Sequence, residues 1–231
     1  AIAGKTCYAS PGDLPRAASL AVIATPPETV PQLVADFAAA GTQAAVVITA
    51  GLGPLKQAML DAAKPTCMRL LGPNCLGLML PPLGLNASFS HRPAAAGELA
   101  LLSQSGALIT AIVDWAATRN IGFSHVVSLG DMADADFGDM LDYLAGDRKS
   151  KAILIYMEAL SEAPKFISAA RRAARVKPVV IVKSGRHEAG ARAAASHTGA
   201  LAGSDAAYDA AFRRTGLVRV KTLPELFAAA E

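Results

Sequence analysis

The sequence predicts an α/β protein made of two successive units, each a parallel sheet with flanking helices. Three observations carry that expectation. Short apolar runs alternate with segments of helical periodicity, and strand–helix alternation implies a parallel sheet. Hydrophobic residues make up 52% of the 231 residues but aromatics only 5%, so the apolar content suits Ala-rich helices packed on Val/Ile strands. The stretch from Leu80 to Gly97 holds Pro81, Pro82, Gly84 and Pro93, breaks the alternation, and reads as a connection between units. The expected units are residues 1–90 and 97–231.

In the first unit, Ser19 to Ala24 is a strand stopped by Thr25-Pro26-Pro27. Val30, Leu33, Val34 and Phe37 fall at i, i+3, i+4 and i+7, one face of a helix that Gly41 closes. Ala45 to Thr49 is a buried strand, Leu55 to Ala63 a short helix, and Arg69-Leu70-Leu71 a strand ended by Gly72-Pro73-Asn74. In the second unit the strands are Leu99–Leu102, Ser124–Ser128, Ile153–Met157, Val179–Val182 and Leu217–Val220. Helices are expected over Gly106–Thr118, Phe137–Leu144, Pro164–Arg175 and Ser204–Thr215, with a last one from Leu223. That is a doubly wound unit of single-domain length.

Composition excludes several classes. No apolar run is long enough to cross a membrane, and the opening residues lack a signal-peptide pattern. The net charge of +3 is scattered without interleaved aromatics, which disfavours nucleic acid. Three cysteines, Cys7, Cys67 and Cys75, without paired spacing point to a reducing, cytoplasmic setting. No Cys/His cluster has zinc spacing. Asp131, Asp134, Asp136 and Asp139 alternate in a metal-like way, but a helix from Phe137 makes Asp136 and Asp139 decoration of its start, so no metal is expected.

Ligands of open parallel sheets bind at the carboxyl ends of strands. Thr49-Ala50-Gly51, Gly72-Pro73-Asn74-Cys75 and Ser103-Gln104-Ser105-Gly106 each follow a strand there. The helix start at Ser105-Gly106 offers free N–H groups to an anion, or is simply capped by Ser105. Glu158, directly after five apolar residues, could orient a histidine ring or begin a surface loop. His197 stands in Ser196-His197-Thr198-Gly199-Ala200-Leu201, where small neighbours leave an imidazole uncovered. It suits a nucleophile that carries a phosphoryl group, or it is a bystander near a helix cap.

Gly72-Pro73-Asn74-Cys75-Leu76-Gly77, Ser103-Gln104-Ser105-Gly106-Ala107-Leu108 and Ser196-His197-Thr198-Gly199-Ala200-Leu201 together resemble the NDP-forming acyl-CoA synthetases. The resemblance covers nearly the whole chain. It implies a Rossmann-like CoA-binding domain, lacking its opening strand and Gly-rich loop, followed by a flavodoxin-like domain. It implies that acyl-CoA and phosphate give an acyl phosphate, which phosphorylates a histidine that then phosphorylates ADP, reversibly. By motif, His197 is the phosphorylated residue, Glu158 orients it, and Ser105 and Gly106 hold phosphate. Thr25, Pro26, Thr49, Ala50, Gly51, Asn74 and Cys75 match positions near CoA; Cys75, near the expected thioester end, is either reactive or a small apolar filler, the filler being favoured because no base stands nearby. The implied cofactors are coenzyme A or acyl-CoA, phosphate, and ADP/ATP with magnesium at an ATP-grasp partner. That partner lies in the same polypeptide or in a β subunit, within an oligomer, and the chain is expected to be a fragment or one subunit.

The runs Ser128–Asp134 and Ala211–Gly216 resemble a branch fused to a GNAT protein acetyltransferase. This keeps an acyl-CoA sensor without synthetase chemistry open as the alternative. A dinucleotide-dependent dehydrogenase is disfavoured, because no G-x-G-x-x-G follows a first strand.

Overall fold

The computed structural model describes residues 3–185 and 205–229. The first unit runs β1 (Leu20–Ile23), α1 (Val30–Ala39), β2 (Ala44–Val47), α2 (Leu55–Ala63) and β3 (Arg69–Leu71). Its three strands are parallel in the order β1-β2-β3. Strand side chains alternate between faces. Ala21, Ile23, Ala45, Val47 and Leu70 therefore meet Val34, Ala38, Met59 and Ala63 of α1 and α2 on one face. Val46 and Leu71 turn the other way, into the core of the second unit.

The second unit begins earlier than the sequence suggests. β4 (Gly77–Leu80) and β5 (Leu85–Ser88) form an antiparallel hairpin, and β4 also pairs antiparallel with β7 (Phe123–Ser128). The stretch read as a connection thus contains β5, a tight turn over Pro81–Leu83 and the start of β6 (Ala96–Ser103). Leu85-Asn86-Ala87-Ser88 is too short and polar to signal a strand, and it gains its place from pairing with β4. Gly97, taken as linker punctuation, lies inside β6, where a Cβ would come 2.3 Å from the Gly122 carbonyl carbon.

The remaining elements are β6 (Ala96–Ser103), α3 (Gly106–Ala117), β7 (Phe123–Ser128), α4 (Phe137–Gly146), β8 (Ala152–Met157), α5 (Ala163–Ala174), β9 (Val179–Lys183), α6 (Asp205–Thr215), β10 (Val218–Val220) and α7 (Leu223–Ala228). The sheet order is β10-β9-β8-β6-β7-β4-β5. From β10 to β7 the strands are parallel, as expected of a doubly wound sheet. One face carries Leu102, Ile155 and Ile181 against Phe137, Phe166 and Phe212 of α4, α5 and α6. The opposite face carries Leu101, Leu154 and Val180 against Ile109, Ile112 and Leu226. Being covered on both faces explains why β8 and β9 read as continuous apolar runs rather than alternating ones.

A backbone seam joins the units. The segment after β7 runs beside the end of β3: Ala135 N donates to Leu70 O (3.1 Å), Ala133 N to Gly72 O (3.0 Å) and Asp131 N to Pro73 O (2.9 Å). Asp134 Oδ2 accepts from Leu70 N (2.7 Å) and Arg69 Nε (3.0 Å). Asp136 caps α4 in a capping box with Asp139, and Lys165 bridges both carboxylates at 3.0 and 2.6 Å. The acidic run is therefore occupied by backbone amides and cations. Among the described residues no group of His, Cys, Asp and Glu could hold a metal ion, and no helix is long and apolar enough to cross a membrane.

Candidate active site

Five sequence-selected positions of the first unit come together at the carboxyl edge of its sheet. Thr25 and Pro26 follow β1, Thr49 and Ala50 follow β2, and Asn74 follows β3. Hydrogen bonds chain them side by side. Thr29 Oγ1 lies 2.7 Å from both Thr25 Oγ1 and Pro26 O. Thr49 Oγ1 donates to Thr25 O at 2.7 Å, and Asn74 N donates to Thr49 O at 3.0 Å. Ala50 and Gly51 are exposed on the same rim. Asn74, with φ near 56°, sends Nδ2 to Asp131 Oδ1 at 3.1 Å, and Lys56 meets the same carboxylate at 3.1 Å. Asn tolerates that left-handed backbone better than most residues.

Cys75 is set apart from this rim. It is buried, and its thiol donates to Val47 O at 3.3 Å. Burial pushes the thiol up to about 12, far from thiolate at neutral pH. That agrees with an apolar filler and removes Cys75 as a nucleophile.

The second cluster lies at the carboxyl edge of the seven-stranded sheet. Ser105 is the N-cap of α3: its Oγ accepts from Leu108 N at 3.3 Å, while its own N–H donates to Ser103 Oγ at 3.1 Å. The N–H groups of Gly106 and Ala107 start the helix and have no partner among the described residues. They present the positive end of the helix dipole to the sheet edge. A Cβ on Gly106 would stand 3.0 Å from Leu76 Cβ, so the smallest residue lets the helix start approach the inter-unit seam.

β6 and β8 are neighbours, with Ser103 opposite Tyr156, so Glu158 emerges from the sheet beside this helix start. It is partly buried, and its carboxylate has no hydrogen-bond partner among the described residues. Its main chain is fixed by Gln104, whose Oε1 accepts from Glu158 N (2.6 Å) and Ala159 N (2.9 Å).

Two residues at this edge escaped the sequence reading. Gln104 lay inside a selected motif but received no role. Lys183 closes β9 opposite Met157 and is buried. Its Nζ donates to Ser184 O at 2.6 Å and sits 4.7 Å from the Tyr208 ring centroid. Burial lowers its pKa, while Asp205 and Glu158 act in the opposite direction. A charged residue ending the apolar run Val179–Val182 was the available signal. His197 lies outside the described residues.

Comparison with known proteins places the chain in a family. Residues 96–231 match the succinyl-CoA ligase like flavodoxin domain, and residues 1–81 match a CoA binding domain. The chain belongs to the succinyl-CoA ligase like flavodoxin domain family. It is 42% identical, over 98% of its length, to the ADP-forming acetate–CoA ligase I of Archaeoglobus fulgidus, covering 34% of that protein. The α subunit of the ADP-forming acetate–CoA ligase I of Pyrococcus furiosus is 40% identical over 95% of the chain, which covers 49% of it. Among solved structures, the dinucleotide-forming acetyl-coenzyme A synthetase 1 of Candidatus Korarchaeum cryptofilum, in complex with phosphate and ADP, superposes with a TM-score of 0.95. That match has 38% identity and covers all of this chain and 51% of the other. The chain thus spans from about a third to about half of the length of these relatives.

Proposed function

We propose that this chain is the CoA-binding and phosphohistidine portion of an ADP-forming acyl-CoA synthetase. One observation carries the reading: Glu158 and the helix start at Ser105-Gly106, whose first two N–H groups are unpartnered among the described residues, share one sheet edge and are tied through Gln104. The first unit would hold coenzyme A along the rim of Thr25, Pro26, Thr49, Ala50, Gly51 and Asn74, with Cys75 packed beneath. The N–H groups of Gly106 and Ala107 would hold phosphate.

A phosphate oxygen then adds to the thioester carbonyl, and CoA leaves as thiolate and takes a proton. The product is an acyl phosphate. A ring nitrogen of His197 attacks its phosphorus and the acid leaves as carboxylate. Glu158 accepts a hydrogen bond from the other ring nitrogen, fixing the tautomer and stabilising the cationic phosphoimidazole. Phosphohistidine finally passes its phosphoryl group to a terminal oxygen of ADP. The nucleotide and its magnesium would be held by an ATP-grasp partner, in the same polypeptide or in a β subunit, within a cytoplasmic oligomer.

The alternative of an acyl-CoA sensor fused to an acetyltransferase finds no support in the relatives described above, which are ligases. The test combines the protein that carries this chain with its ATP-grasp partner, acetate, CoA, ATP and magnesium. Acetyl-CoA, ADP and phosphate in equal amounts are expected. AMP and pyrophosphate, or CoA binding without any turnover, would overturn the proposal.

A further inference from the structure

Gln104 sits between the end of β6 and the Ser105 cap of α3. Both groups that face its Oε1 are N–H donors, so the hydrogen-bond pattern fixes which end of the amide is oxygen. Its Nε2 has no partner among the described residues. The side chain thus spends its acceptor on the main chain of the Glu158 loop. Main-chain bonds hold the strand up to that point: Gln104 N donates to Tyr156 O at 3.2 Å and Ser184 N to Met157 O at 2.9 Å. Beyond Met157 the ladder stops, and the amides of Glu158 and Ala159 are carried by Gln104.

We infer that Gln104 is a positioning residue that sets where the Glu158 carboxylate stands relative to the start of α3. The inference rests on the phosphohistidine reading given above. Removing the acceptor leaves two partly buried N–H groups to find water, and the first residue of the loop loses its anchor. A misplacement of about 1 Å in a catalytic arrangement costs up to roughly 100-fold in rate.

Three variants of the complete protein with its ATP-grasp partner test this. Gln104→Met keeps the length and removes the acceptor. Gln104→Asn keeps the chemistry but stops one methylene short, and it serves if the Met variant does not fold. Gln104→Glu keeps an oxygen in place. The expected result for Met and Asn is a kcat lower by about 10- to 100-fold, with KM for CoA unchanged. Their pH profile of kcat should be displaced, and amide exchange at Glu158 and Ala159 faster. Gln104→Glu keeps the acceptor and should recover the slow exchange, while its added charge beside Glu158 and the phosphate site lowers kcat in its own right. A wild type that turns over beside unaltered Met and Asn variants would overturn this inference alone. So would equally fast exchange at Glu158 and Ala159 in the Glu and Met variants. A wild type with no phosphohistidine would overturn both this inference and the reading beneath it.

Discussion

The carboxyl edge of the three-stranded sheet closes on itself, whereas that of the seven-stranded sheet leaves groups unspent. Along the first, the Thr49 hydroxyl donates to the Thr25 carbonyl and the Asn74 main-chain N–H to the Thr49 carbonyl, from strand to strand. Asn74 and Lys56 both reach Asp131 of the second unit, so even the rim's outer carboxylate is shared. Along the second, the Glu158 carboxylate, the Gln104 Nε2 and the first two N–H groups of α3 meet no hydrogen-bond partner among the described residues. Satisfied groups give an edge a fixed shape, suited to receiving a large ligand by contour. Unspent groups near a helix dipole give an edge chemistry, because they lower the energy of a charge that arrives later. Under the proposed function, the first unit supplies shape and the second supplies reaction.

The seam between the edges should give the largest effect on stability. Gly130 has φ of 56°, and a Cβ there would lie 2.2 Å from Pro73 O and 2.5 Å from Asn74 O. Gly130→Ala should cost about 2–5 kcal/mol by urea unfolding, because backbone strain and overpacking add. It should also split one transition into two if the seam couples the units; an unchanged single transition would refute that coupling. At the closed edge, Thr49→Val should cost about 1–2 kcal/mol, since the Thr25 carbonyl loses its donor. CoA affinity should fall in step with that loss.

A smaller effect lies away from both carboxyl edges, on the amino half of β7. His125 is buried, faces Ser150, Tyr143 and Asp147, and feels the cations Lys149 and Lys177. Burial holds its pKa below the ordinary value near 6.5. The folded protein then binds fewer protons than the unfolded chain in that range, so stability falls as pH drops through it. Asp147, with its pKa lowered by the bonds to Ser150 and Lys149, loses stabilisation in the same direction at lower pH. Unfolding midpoints at about pH 7 and about pH 5.5 should differ less in His125→Gln than in wild type. At the open edge, Glu158→Gln should change stability by less than about 0.5 kcal/mol while removing most activity. A large stability loss there would mean that the carboxylate serves the fold, and the contrast between the edges would fail.

Much of the fold could be read from periodicity, because both sheets bury apolar faces whose spacing is local. β1, β2, β8 and β9 announced themselves as apolar runs, and Glu158 stood out as a carboxylate directly after one. β5 did not, because its four residues are half polar and its strand state comes from pairing with β4. Ser105 was readable as a cap, which it is. Gln104 was not readable as an anchor, because its partners lie 54 and 55 residues away and nothing local marks them. Asp134 likewise looked like part of an acidic run, and its bond to Leu70 N spans 64 residues. His197, the most informative residue of the sequence, lies outside the described residues, so its role rests on motif and on the edge that awaits it.

On the proposed function, the open edge handles a phosphoryl group. The most direct measurement incubates the complete protein and its ATP-grasp partner with γ-labelled ATP and magnesium, then assays for acid-labile, base-stable label on this chain. Wild type should carry it and His197→Ala should carry none. Label that persists in His197→Ala, or a wild type that binds CoA yet never takes label, would contradict the account.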